Sequence, residues 1–228
     1  MDLSSFTPAS ALVTVILLAL APFVAVMVTS FTKIVVVLSL LRNALGLQQV
    51  PPNIVLNGLA LILTMYVMYP VGQEMSRAYT DAPPGAVQQE QMMSETLGST
   101  EAMFGTIDRV KEPLRGFLVK HAPERERAFF LRTAKRVLPP ADARDLKPDD
   151  FIVVVPAFTV AELARAFQIG FLIFLPFLVI DMVIANILLA LGMMMLSPTV
   201  ISLPFKLLLF VLVDGWVKLA HGLVLSYL

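Results

Sequence analysis

The chain contains no cysteine. Disulfides, thiolate metal ligands and thiol nucleophiles are therefore excluded, while the compartment is left open. Histidine is scarce as well. His121 and His221 lie far apart, with no ligand spacing around either, so neither a metal centre nor a histidine-assisted nucleophile is expected. Net charge is lacking: 17 Lys and Arg balance 17 Asp and Glu. That balance gives no electrostatic reason to expect nucleic acid or an anionic surface as partner. The phosphate-binding loop, the dinucleotide fingerprint, the nucleophile elbow and H-E-x-x-H are all missing. None of the 11 glycines are four apart, which removes the G-x-x-x-G helix-pairing signal. No internal repeat is visible. The expectation is a protein without catalysis and without a cofactor.

What the chain has in excess is apolar surface. Of its 228 residues, 57% are hydrophobic and its mean hydropathy is +0.81, against roughly 45–50% apolar residues in soluble domains. This excess predicts an all-α integral membrane protein. Four apolar blocks are candidates for spans: Ala11–Thr29, Ile54–Val71, Ala166–Leu196, and a fourth from about Leu203 to Leu228. A span needs about 20 apolar residues. The third block, at 31 residues, would reach about 46 Å against a hydrocarbon core of about 30 Å. It contains Gly170, Pro176 and Asp181, so a kinked, tilted or broken helix is expected. The opening "MDLSSFTPAS" has Asp2 and no Lys or Arg, unlike the basic start of a signal peptide. Ala11–Thr29 is therefore expected to be a retained helix.

Three regions follow: an N-terminal helical hairpin over 1–71, a polar helical subdomain over 72–155, and a C-terminal helical hairpin with a Met-rich loop over 156–228. The stretch Gly72–Asp150 holds 25 of the 34 charged residues. Thr80–Gln91 and Leu138–Asp150 read as loops. Met103, Phe104, Ile107, Val110, Leu114, Phe117 and Leu118 keep helical spacing, although Pro113 is better placed to begin a helix than to sit inside one. Pro123–Leu138 reads as a second amphipathic helix. Thr159 and Glu162 have capping-box spacing, which places a helix start near Val160 and puts Glu162 and Arg165 in its first turn. Lys33 and Arg42 between the first two blocks, and Lys206 after the third, suggest cytoplasmic loops by the positive-inside rule. Both termini and the polar region would then face the periplasm.

Polar groups inside apolar segments are the other candidates. A carboxylate facing lipid costs about 2.5–3.5 kcal/mol on insertion scales, so Asp181 and Asp214 are expected to face protein or water. They can serve as ion-pair or cap residues, with Lys206 and Lys218 as available partners; Asp214 and Lys218 have i,i+4 spacing. The alternative is a proton relay in a proton-coupled secondary transporter, which would predict activity of this chain alone and a paired-repeat architecture. A passive scaffold for a different complex is a third reading. In Thr29–Asn43, Ser30, Thr32, Lys33, Ser39 and Arg42 interrupt apolar residues. Either the cations snorkel to the cytoplasmic side or the helix packs on sister subunits. Trp216 is an interfacial anchor or simply buried. Met193, Met194 and Met195 lie between Gly192 and Pro198; they are apolar filler at a helix end or a soft contact surface at a chain reversal.

"TSFTKIVVVLSLLRNALGLQQVPPN" (Thr29–Asn53), "PAFTVAELARAFQIGF" (Pro156–Phe171) and "ISLPFKLLLFVLVDGW" (Ile201–Trp216) resemble the core signatures of the R/P-type inner-membrane export apparatus proteins of type III secretion systems. That family includes the flagellar biosynthesis protein P and the virulence-associated R component. The resemblance extends to "PLRGFLVKH" (Pro113–His121) and is weakest over Thr80–Gly105. It implies a ring of five copies joined by S-type and T-type membrane partners, with contacts to U-type and V-type components and to inner rod and needle proteins. Such an assembly passes unfolded proteins and nucleates the needle or rod above it. It implies strongly kinked membrane helices, an assembly largely above the inner membrane plane, and a periplasmic polar region. The methionine stretch would form a gasket in the channel. Glu162, Arg165, Asp181, Lys206, Asp214 and Lys218 would be assembly and ion-pair residues. Flagellar members typically begin with a cleavable signal; its lack here implies the virulence branch.

Overall fold

A computed structural model describes residues 8–47, 49–80, 100–139, 143–193 and 195–228. Of the loop expected over Thr80–Gln91, Thr80 ends a helix and residues 81–91 lie outside them, as does Met194. Every element described is an α-helix: α1 (Pro8–Val28), α2 (Phe31–Ala44), α3 (Asn53–Thr80), α4 (Thr100–His121), α5 (Glu124–Val137), α6 (Phe151–Ala190), α7 (Pro198–Leu212) and α8 (Gly215–Leu225). The protein is an all-α membrane protein. Two helices, α3 and α6, are each long and apolar enough to cross a bilayer, with mean hydropathies of 1.9 and 2.6. Two bent pairs, the end of α1 with α2 (80°) and α7 with α8 (60°), could each make a further broken span.

The spine is α2 against α6. On α2, Ile34, Val37, Leu38, Leu41 and Leu45 recur at i, i+3, i+4, i+7 and i+11, and all are buried. They form one helical stripe. With Leu56 and Ala60 of α3, Ala166 of α6 and Leu223 of α8, this stripe builds the central core. Further along, Leu41, Ala44 and Leu45 meet Phe177 and Phe210. A separate core, around Phe117, Leu118, Val154, Ala157 and Phe158, binds α4 to the first part of α6.

Three sequence expectations change. The helix expected from Val160 begins at Phe151, so Thr159 and Glu162 are interior residues rather than a capping box. The cause is burial of Val153, Val154, Ala157 and Phe158, which draws the upstream segment into the helix in spite of Pro156. Thr159 Oγ1 instead donates to the Val155 carbonyl at 2.9 Å and to that of Met27 at 3.1 Å. Second, α4 runs through Pro113 without a break; the buried Phe117 and Leu118 that follow it hold the helix in place. Third, the last apolar block is not one helix. It breaks at Asp214, whose φ of 52° places it in the left-handed region, one that Asp tolerates better than most residues. The helix boundaries also pass those of the apolar blocks: α3 continues beyond Val71 to Thr80.

Leu40 of α2 lies directly against Gly170 of α6. A Cβ built there would lie 3.0 Å from Leu40 Cβ and closer still to Leu40 Cδ1. Gly170→Val is therefore expected to destabilise the protein by about 1–3 kcal/mol through overpacking, read as a lower Tm in detergent. Leu40→Ala in the same chain should restore part of the loss; strictly additive losses would show that the two positions are not coupled.

Candidate functional site

One buried ionic cluster, one partly buried cluster and one exposed loop gather most of the candidate residues. The first cluster is centred on Glu162 of α6, whose side chain is wholly buried. Its Oε2 lies 3.1 Å from Lys33 Nζ of α2 and accepts a short hydrogen bond from the Tyr227 hydroxyl. Its Oε1 accepts from Arg165 Nη1 at 2.7 Å. Arg165 Nη1 also donates to the His121 carbonyl at 2.9 Å, at the end of α4. The Lys33 ammonium sits 3.4 Å from the centroid of the Tyr227 ring, a cation–π contact. His121 is buried, with Nδ1 2.8 Å from the Phe117 carbonyl and Nε2 3.3 Å from that of Tyr227. One carboxylate thus joins α2, α6, α4 and the segment after α8.

Lys33 does not snorkel. The stripe that buries Ile34, Val37 and Leu38 also carries Lys33 inward, and Glu162 meets it there. The hydroxyls of its helix bond within the chain: Ser39 Oγ to the Val35 carbonyl and Thr32 Oγ1 to that of Val26. Arg42 donates to Asn53 Oδ1 at 2.5 Å and to the Pro51 carbonyl at 3.4 Å, closing the turn into α3.

The second cluster spans the reversal from α6 to α7. Lys206 Nζ lies 2.6 Å from Asp181 Oδ2 and 3.4 Å from the Ala44 carbonyl at the end of α2. Ser202 Oγ donates to Asp181 Oδ1 at 2.5 Å. Ser202 and Lys206 are four apart, on one face of α7, and both are buried. Lys33 and Lys206 are therefore buried helix residues with carboxylate partners rather than the loop cations that the positive-inside rule counts. Asp214 and Lys218 do not pair; Asp214 is the left-handed N-cap of α8, and only its carbonyl meets Lys218, through the Lys218 amide at 3.0 Å. No described hydrogen bond or ion pair links Asp181 to Asp214.

Met193 and Met195 lie on the connection between these helices. Gly192, with φ of 70°, closes α6: the Met193 amide donates to the Leu188 carbonyl at 2.9 Å and the Gly192 amide to that of Leu189 at 3.0 Å. This is the paired bonding of a Schellman cap, which favours glycine at its left-handed position. Pro198 opens α7 at its first position, where a missing N–H costs nothing. Met193 is half exposed and Met195 fully so.

Sequence reasoning picked out Glu162, Arg165, Asp181 and Lys206 but missed Tyr227, His121 and Ser202. Ser202 was findable from its i,i+4 spacing to Lys206. Nothing local marks Tyr227 or His121, which meet across more than a hundred residues. Removing one partner of a buried pair strands the other charge, at about 3–5 kcal/mol. Glu162→Ala should therefore lower stability by that order in detergent unfolding. The double variant Lys33→Met with Glu162→Gln should recover much of the loss; a double variant as unstable as the single would show that Lys33 is not neutralised by Glu162.

The sequence matches the FliP family over residues 13–223. It is 52% identical over 221 residues to the hypersensitivity response secretion protein HrcR of Ralstonia nicotianae, across 96% of this chain and 97% of that protein. It is 53% identical over 211 residues to the Yop proteins translocation protein R of Yersinia pestis, across 92% of each. Identity to the flagellar biosynthetic protein FliP of Bacillus subtilis is 41% over 207 residues, covering 91% of this chain and 86% of that protein. The match takes in α2 to α7 entire, both ionic clusters except Tyr227, and the methionine connection: this chain belongs to the FliP family.

Proposed function

We propose that this protein is a non-enzymatic core subunit of a type III protein secretion export gate of the virulence branch, in the bacterial inner membrane. It forms part of the wall and seal of the channel for unfolded proteins and of the base on which rod and needle assemble. Five copies, with S-type and T-type partners, build the gate, next to U-type and V-type components. The polar region faces the periplasm. The ion pairs of Glu162 and Asp181 hold the subunit's shape, with Arg165 and Lys206, so that its apolar faces meet their neighbours correctly. Membrane helices associate through such packing and through interhelical hydrogen bonds.

The observation that carries this reading is the methionine connection. Met193 and Met195 project from a reversal whose two ends are capped by Gly192 and Pro198. A ring of such loops would present flexible thioethers that close around water and ions yet repack around a polypeptide. Replacing Met193, Met194 and Met195 together by alanine should raise ion leakage across the membrane several-fold while the complex still assembles. Leakage equal to wild type in an assembled complex would reject the seal.

Orientation has its own test. The chain has no native cysteine, so single cysteines at the exposed positions Val50 and Arg132 can be probed with an impermeant reagent. Arg132→Cys should label from the periplasm and Val50→Cys only after the cytoplasmic face is opened. The reverse pattern would invert the topology.

A further inference from the structure

An apolar cavity of about 440 Å³ lies between α2, α6 and the elbow formed by α7 and α8. That is within the range of about 300–1,000 Å³ typical of small-ligand sites. Leu41, Ile173, Phe177, Phe210 and Leu219 line it, and Lys218 is the one lining residue with a polar side chain. We propose that this cavity, in the subunit lying in the bilayer before it joins its neighbours, holds an acyl chain of an anionic phospholipid, with the lipid phosphate against the Lys218 ammonium.

Three observations carry the assignment. First, the walls belong to helices apolar enough to lie in a bilayer, where acyl chains are the solvent that fills any open apolar space. Second, Lys218 is exposed and makes no side-chain hydrogen bond or ion pair among the described residues. Asp214, one turn earlier, is also exposed and does not neutralise it. One cation at the rim of an otherwise apolar space complements a ligand with a single anionic head and an apolar tail. Third, Trp216 sits at the same elbow, beside Asp214 and Lys218, with its ring edge-on to Phe210 at 5.4 Å between centroids. An indole grouped with charged residues at a break between apolar helices fits headgroup depth. The space itself comes from the elbow, where Gly215 lets the Phe210 ring close on the backbone and Gly222 leaves nothing within 4 Å of where a Cβ would stand.

Trp216 is the sole tryptophan and reports on the cavity through Phe210. The full chain in phosphatidylcholine nanodiscs would be doped at equal mole fraction with brominated phosphatidylglycerol or brominated phosphatidylcholine. The anionic lipid should quench Trp216 more strongly than the zwitterionic one, which measures bulk contact. Lys218→Gln should bring the two lipids level, and Asp214→Asn should widen the difference. Gly222→Leu, which fills the cavity, should also abolish the excess without lowering Tm. Equal quenching by the two lipids in the wild-type protein would overturn the proposal, as would an excess that survives both Lys218→Gln and Gly222→Leu.

Discussion

Everything in this fold turns on one buried carboxylate. Glu162 is fully enclosed and is met by Lys33, Arg165 and the Tyr227 hydroxyl. These groups come from the two spine helices and from the last residues of the chain, and Arg165 extends the link to the end of α4. Burying such charges gains little net stability, because desolvation offsets most of the Coulomb attraction. What the arrangement supplies is geometry. An apolar contact can slide by a turn at small cost, whereas a buried ion left unpaired is expensive. Glu162 therefore fixes how α2 lies along α6 and where the 80° bend between α1 and α2 must fall. Asp181 and Lys206 do the same at the other end of α6. The long helix is held by charges at Glu162 and Asp181 and between them by the Leu40–Gly170 approach.

The outside of the molecule has the opposite character. On α3, Ile54, Ile62, Met65, Tyr66 and Tyr69 are exposed; on α6, Phe167, Phe171, Leu172 and Val179 are. Only 17% and 11% of the most apolar windows of these helices are buried within the chain. Apolar surface on this scale is far beyond the few hundred Å² tolerated by a soluble monomer. Ionic groups inside and apolar groups outside form an inverted profile. It suits a chain whose surroundings are lipid or other apolar helices, and whose own shape must be set before it meets them.

The apolar blocks were legible because a run of about 20 apolar residues has few other uses, and the amphipathic α5 was legible from its period. The reversal at Gly192 and Pro198 was legible because those two residues have one-sided conformational preferences. What could not be read were facts decided by distant parts of the chain. Thr159 and Glu162 have the local pattern of a helix start, yet packing of Val153 and Phe158 extends the helix past them. Lys33 looks like a snorkelling cation until Glu162 arrives from 129 positions away. Asp214 precedes Gly215, a turn-forming dipeptide that the surrounding apolar run outweighed, and it takes the left-handed turn that breaks the block. Lys206 was among the available partners of the intramembrane carboxylates and does meet Asp181, whereas the i,i+4 spacing of Asp214 and Lys218 makes no pair. The partners of Glu162 across helices left no trace in spacing.

The methionine connection combines a stiff mount with a soft tip. Its backbone ends are fixed by the Gly192 cap and by Pro198, and the Asp181–Lys206 pair with Ser202 ties α6 to α7 immediately behind it. A seal that depended on a mobile backbone would have to reorder its peptide groups after every passage, at about 1–2 kcal/mol of conformational entropy per residue. A seal made of thioether side chains on a fixed backbone needs only rotamer changes, which are fast and nearly isoenergetic for methionine. Under the proposed seal, that division of labour would account for ion pairs and flexible apolar groups occurring side by side. On that reading the Asp181–Lys206 pair holds α6 against α7, and the compliance is left to side chains that hold no polar group for a translocating chain to catch on.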